Sequence, residues 1–239
     1  MSIAIFLHIF SPHTLDSLLE RIGTFPFGFN LYVNLVEGHS DHLRQAILDK
    51  RPSAAINVSP NQGMDPGGQL RTLHYWLTNG KDEEFLIFIH SKRVDEYRDL
   101  FSRIILPDKA KLAMQKFEDP QIGMLGVKEW YLNANLNQEQ CAQYGCEYDQ
   151  SQRYGAPIQN CEFYCDWLKL NNFKTNSFAF IGGTMFWVRS KIYRDVFKDF
   201  PILDLVKELP PFENGGKTHA LERIFGYIVL SAGYRIEGI

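Results

Sequence analysis

Two short stretches late in this sequence combine flexible backbone with titratable side chains. In FAFIGGTMFWVR, apolar residues flank Gly182-Gly183-Thr184, and in HALERIFGY, His219, Glu222 and Arg223 fall three and four positions apart. That spacing sets His219 beside Glu222 and Arg223 on one face of a helix. A His–Glu pair there suits a general base, because its neighbours set its pKa. A salt-bridge cluster at a helix start would use the same residues. Glycines inside a strand pattern mark a bulge or the close approach of another molecule. Of the two aromatics that follow, Phe186 reads as core and Trp187 as a ring that could stack on a flat ligand face.

Three further polar groups fall where apolar runs end. They are His8 after the first run, Asn61-Gln62-Gly63-Met64-Asp65 after the third, and His90-Ser91-Lys92 after the fourth. An open α/β sheet binds ligands at the carboxyl ends of its strands, so the coincidence defines a candidate site. Gly63 permits a tight turn whose N–H groups can face phosphate oxygens, and Asp65 can accept bonds from hydroxyls. An ordinary loop with a capping Asp is the plainer account of the same residues. Lys92 can neutralise a diphosphate as a point charge, and His90 can donate to a phosphate oxygen or ligate a metal. A solvated basic strand end is the alternative.

The elements that must position these groups follow from periodicity. Apolar runs at 3–10, 29–37, 54–58, 85–89 and 122–127 read as strands. Helical spacing appears at 14–22, 41–48, 70–77, 97–105, 109–117 and 161–170. The alternation predicts an α/β fold with a mixed, mainly parallel sheet flanked by helices. Residues 61–70, rich in Gly and Pro, read as a loop. Residues 130–160, rich in Asn, Gln and Tyr, read as an irregular insertion in one domain spanning 1–239.

Bulk properties narrow the class. The chain has 239 residues, 45% of them hydrophobic, enough for a sizeable core. A formal charge of -3 argues against a nucleic-acid partner. No apolar run reaches the length of a membrane span, and the N-terminal run lacks the basic leader of a signal peptide, so a cytoplasmic location is expected. Cys141, Cys146, Cys161 and Cys165 cluster at spacings unlike those of tight zinc modules, which favours reduced thiols over a structural metal.

Taken together, FLHIF, SPNQGMDPGG, FIHSK and GGTMFWVRS followed by HALERIFGY resemble, in that order, the rhamnan synthesis protein F family of bacterial polysaccharide glycosyltransferases. The resemblance runs from the first strand to Tyr234. It implies a GT-A-like single domain that uses a nucleotide-diphosphate sugar as donor, with dTDP-rhamnose or a UDP-sugar such as UDP-galactofuranose as examples. The acceptor would be a hydroxyl of a glycan or lipid-linked glycan. Donor contacts would fall to His8, Asn61, Gly63, Asp65, His90, Ser91 and Lys92. Acceptor contacts would fall to Gly182, Gly183, Thr184, Trp187 and Arg223, with Glu222 or His219 as base. His90-Ser91-Lys92 stands where the fold ordinarily carries an Asp-x-Asp metal motif, so no tightly bound cofactor and no divalent metal are expected. Other domains or enzymes of a polysaccharide assembly system at the inner face of the plasma membrane are the expected partners. A non-catalytic nucleotide- or glycan-binding module is the competing reading.

Overall fold

Apolar runs bury both faces of one sheet. In the computed structural model, which describes residues 2–38, 40–92, 94–133, 158–170, 179–210 and 217–239, they form nine strands among the described residues. These are β1 (Ile3–Ile9), β2 (Asn30–Val36), β3 (Ala55–Ser59), β4 (Phe85–His90), β5 (Ile122–Gly126), β6 (Tyr131–Asn133), β7 (Ala179–Ile181), β8 (Phe186–Arg189) and β9 (Arg235–Gly238). The main sheet has seven strands in the order β3-β2-β1-β4-β8-β5-β9. β3, β2, β1 and β4 run parallel, β8 is antiparallel to β4 and β5, and β9 is parallel to β5. β6 and β7 make a small antiparallel pair.

The described α-helices are α1 (Leu15–Gly23), α2 (Ser40–Lys50), α3 (Met64–Asn79), α4 (Asp95–Phe101), α5 (Pro107–Lys116), α6 (Ile158–Trp167), α7 (Ser190–Phe197), α8 (Ile202–Lys207) and α9 (Lys217–Ser231). They cover both faces, as parallel connections require. The period of two along each strand sorts the core into two layers. Phe6, Phe88, Phe186 and Val188 pack under α3, α7 and α9 with Leu73, Trp76, Tyr193 and Phe225. Ile5, Leu7, Ile87, Ile89 and Trp187 face the other way, against Leu18, Ile22, Ile104 and Ala113.

Two sequence expectations change. The stretch 61–70 is not all loop, because α3 begins at Met64 and runs through Pro66, Gly67 and Gly68. Proline is tolerated in a first helical turn. The two glycines are packing residues: a Cβ on Gly67 would meet the Gln62 carbonyl oxygen at 2.0 Å, and one on Gly68 the His8 ring at 2.3 Å. The insertion begins as ordered chain, a short 3-10 turn (Lys128–Trp130) followed by β6. Residues 134–157 lie outside the described residues, and with them Cys141 and Cys146. Cys165 on α6 is buried among apolar side chains, as expected of a small hydrophobe. Among the described residues no helix is long and apolar enough to cross a membrane.

Candidate functional site

A row of polar residues crosses the sheet near the carboxyl ends of its parallel strands. Asn57 on β3 pairs in register with Asn34 on β2, Asn34 with His8 on β1, and His8 with His90 on β4. All four share the face covered by α3, since their neighbours two residues earlier (Ala55, Tyr32, Phe6 and Phe88) pack there. Their bonds run sideways. Asn57 Nδ2 donates to Asn34 Oδ1 at 2.9 Å, Ser59 Oγ donates to the same oxygen at 3.0 Å, and Asn34 Nδ2 lies 3.1 Å from His8 Nδ1. A buried Asn amide is tolerable only when so satisfied.

Helix α3 starts above this row. Asp65, in its first turn, places Oδ1 at 3.2 Å from His90 Nδ1 and Oδ2 at 2.9 Å from Lys92 Nζ. Burial alone would push the Asp65 carboxyl up, but His90, then Lys92, hold it well below the usual carboxylate range. Burial works against the Lys92 ammonium too, yet Asp65 and, after it, Glu222 hold its pKa above the ordinary value. His90 is fully buried, and oxygens face both of its ring nitrogens. Nε2 lies 2.6 Å from the Gly183 carbonyl and 3.1 Å from Thr184 Oγ1, while Nδ1 lies 3.1 Å from the Ser91 carbonyl as well as near Asp65.

Gly183 links this cluster to α9. Its carbonyl takes the His90 bond, and its N–H donates to Glu222 Oε1. The residue sits at φ 81°, and an added Cβ would meet the Phe101 ring at 2.6 Å, so a side chain is excluded twice over. Thr184 follows at φ 52°, a conformation that costs a β-branched residue about 1–3 kcal/mol. Gly63 and Met64 repeat the pattern at φ 75° and 51°, ahead of Asp65. Left-handed backbone thus occurs on both sides of His90.

The predicted residues divide by exposure. Asp65, Lys92 and Glu222 keep 19%, 27% and 18% of their side chains exposed, and Asn61 and His219 are half-buried. These reach the surface. His8, His90, Ser91 and Thr184 are buried. Ser91 Oγ accepts the Phe10 and Ser11 N–H groups at 2.8 and 3.0 Å, which fixes the chain leaving β1. Its expected donor contact is corrected to a structural role.

Three acceptor assignments are also corrected. Trp187 points to the opposite layer, where Nε1 donates to the Ile104 carbonyl at 3.0 Å and the ring lies 5.6 Å from Phe25. Arg223 is buried, its guanidinium 4.9 Å over Phe180 and Nη1 bonded to the His219 carbonyl. Gly182 is closed off by the Trp130 ring, 2.7 Å from where its Cβ would stand. Sequence reading missed Asn34, Asn57 and Arg71. The usable signal was an Asn in mid-run in NLYVNLV, at the position that registers with His8.

His8 gives a pH test. Burial, above all, lowers its pKa from 6.5 to about 4, against a partly compensating Asp65 charge. Below pH 6.5 the unfolded chain takes a proton that the folded protein refuses until about pH 4. Stability is therefore full above pH 6.5 and declines toward pH 4, by about 3 kcal/mol from this residue. Urea unfolding of the wild type and His8→Gln across that range should show the extra slope in the wild type alone.

A mostly parallel seven-stranded α/β sheet flanked by helices is consistent with a single-domain GT-A-like fold. The sequence profile of rhamnan synthesis protein F, RgpF, matches residues 1–234, and the chain belongs to that family. Membership gives it a role in polysaccharide synthesis. A search of curated proteins returned no match to the chain.

Proposed function

We propose that the chain is a glycosyltransferase that moves a sugar from a nucleotide-diphosphate sugar to a hydroxyl of a growing bacterial surface polysaccharide. The observation that carries this is the Gly183 peptide, bonded through His90 to Asp65 and Lys92 on one side and to Glu222 on the other. It sets an accessible cation and an accessible carboxylate around one turn at the strand ends. Family membership supplies the polysaccharide context.

In this reading the donor diphosphate lies against Lys92. Asp65 keeps the Lys92 ammonium charged, and that charge steadies the departing diphosphate. Glu222 Oε1 is occupied by the Gly183 N–H, and Oε2 stands 3.7 Å from Arg223. As the glycosidic bond forms in an inverting displacement, Oε2 takes the proton of the acceptor hydroxyl and the sugar–phosphate bond breaks toward Lys92.

Metal independence is part of the proposal, supported by the donor set at the end of β4. Both His90 nitrogens face protein oxygens, Ser91 Oγ accepts two N–H groups, and Lys92 repels a cation. Among the described residues no group of three or more His, Cys, Asp or Glu could hold a metal ion.

A thermal-shift screen against UDP, dTDP and GDP, each with and without manganese, tests the reading. One nucleotide should stabilise the protein, equally with and without the metal, and its sugar conjugates should then support transfer. Binding without transfer across a sugar panel would leave a binding module instead. Lys92→Ala should weaken that nucleotide about tenfold or more in calorimetry, the loss of a charge-assisted contact.

A further inference from the structure

Two buried nitrogens near the polar row have no hydrogen-bond partner in the protein, His8 Nε2 and Arg71 Nε. Gly68, where an added Cβ would meet the His8 ring, stands one turn before Arg71 on the same helix face. Asp65, Gly68 and Arg71 recur every three residues, so α3 turns one face toward the strand ends. Asp65 meets His90, Gly68 abuts the His8 ring, and Arg71 reaches Gln62 Oε1 at 3.3 Å.

The proton on His8 can be placed by following the amides. Asn34 Oδ1 accepts from both Asn57 and Ser59, which turns Nδ2 toward His8. Nδ2 is a donor, so His8 Nδ1 accepts and carries no proton. The remaining proton of a neutral ring then sits on Nε2. An unpaired buried N–H is expensive to maintain. Two of them in one place call for an acceptor-rich partner.

We infer that Asn34 is a positioning residue, holding the His8 proton on Nε2 so that this N–H and the Arg71 guanidinium receive oxygen atoms of a nucleoside diphosphate. The ligand class rests on the proposed glycosyltransferase reading; the proton's location does not. Charged and titratable groups facing His8 are Asp65 and Arg71 from α3 and His90 from β4. None of them contacts Nδ1, which belongs to Asn34.

Nitrogen-15 histidine NMR tests both halves. In the free wild-type protein, His8 should show a single Nε2–H tautomer that stays neutral from pH 8 to 5. In Asn34→Asp, a near-isosteric change, a carboxylate facing Nδ1 should make His8 titrate within that range. A His8 found as the Nδ1–H tautomer, or unchanged in Asn34→Asp, overturns the assignment without any ligand. Saturating wild type with whichever of UDP, dTDP or GDP binds should shift the His8 Nε2 resonance, and Arg71→Ala should weaken that nucleotide about tenfold. A nucleotide that binds while His8 stays unmoved refutes the inference and leaves the transferase reading standing. If none of the three binds and no sugar is transferred, that reading fails on its own account.

Discussion

Replacing Glu222 with Gln should lower transfer turnover by about two to four powers of ten while donor binding survives. The amide keeps the length of the side chain, and its oxygen can still accept the Gly183 N–H. The turn therefore stays bonded to α9, and the His90–Asp65–Lys92 cluster is untouched. What disappears is the ability to take a proton. The fall should appear in kcat, while calorimetry still detects donor-nucleotide binding. His219→Ala is the matching control, because sequence spacing left His219 and Glu222 as rival bases. The structure brings the Glu222 carboxylate to the Gly183 turn and uses the His219 carbonyl to hold Arg223. Turnover unchanged in Glu222→Gln but collapsed in His219→Ala would reverse the assignment.

The sheet was readable in the sequence because a strand buried on both faces leaves an uninterrupted apolar run, and Ile3–Ile9 and Phe85–His90 are such runs. The strand ends were readable for the same reason, since a polar triplet such as His90-Ser91-Lys92 stands out against that background. The start of α3 was not. Local propensity sets Pro66-Gly67-Gly68 against a helix, and the compensation comes from the Gln62 carbonyl and the His8 ring, contacts known only once β1 and α3 are together. Exposure within the site was hidden likewise. His90 and Lys92 are near neighbours, but His90 is the last residue of β4 and lies buried under α3, whereas Lys92 falls beyond the strand end, at the rim. Trp187 and Phe186 face opposite layers because successive strand residues alternate, and both turned out to be core. Asn34 was missed because its meaning is a register: it matters only as the neighbour of His8 across β1 and β2.

Glu83→Ala should destabilise the protein by about 4 kcal/mol, the cost of stranding its donors, a large share of the roughly 5–15 kcal/mol that holds a typical domain together. The Glu83 carboxylate is buried just before β4, with 1% of its surface exposed. Oε2 accepts from Trp76 Nε1 at 2.6 Å, and Oε1 from the Tyr32 hydroxyl at 2.9 Å and Asn30 Nδ2 at 2.8 Å. Burial first, and the Glu83 contacts with it, push the Tyr32 hydroxyl up to about 12, so it remains a donor at any working pH. Removing the carboxylate strands three donors, two of them on large buried side chains. Glu83→Gln should lose less, because the amide oxygen can keep one side of the arrangement while its NH2 opposes the donor on the other. Urea unfolding of both variants measures the difference, and an Ala variant as stable as wild type would mean that these bonds merely fill space. The consequence reaches the site through α3. Trp76 lies in the fourth turn of the helix whose first turn carries Asp65. Anchoring its far end to β2 and β4 fixes how that first turn lies across the strand ends. A folded Glu83→Gln should therefore also bind the donor nucleotide more weakly, at a distance from every group that touches it.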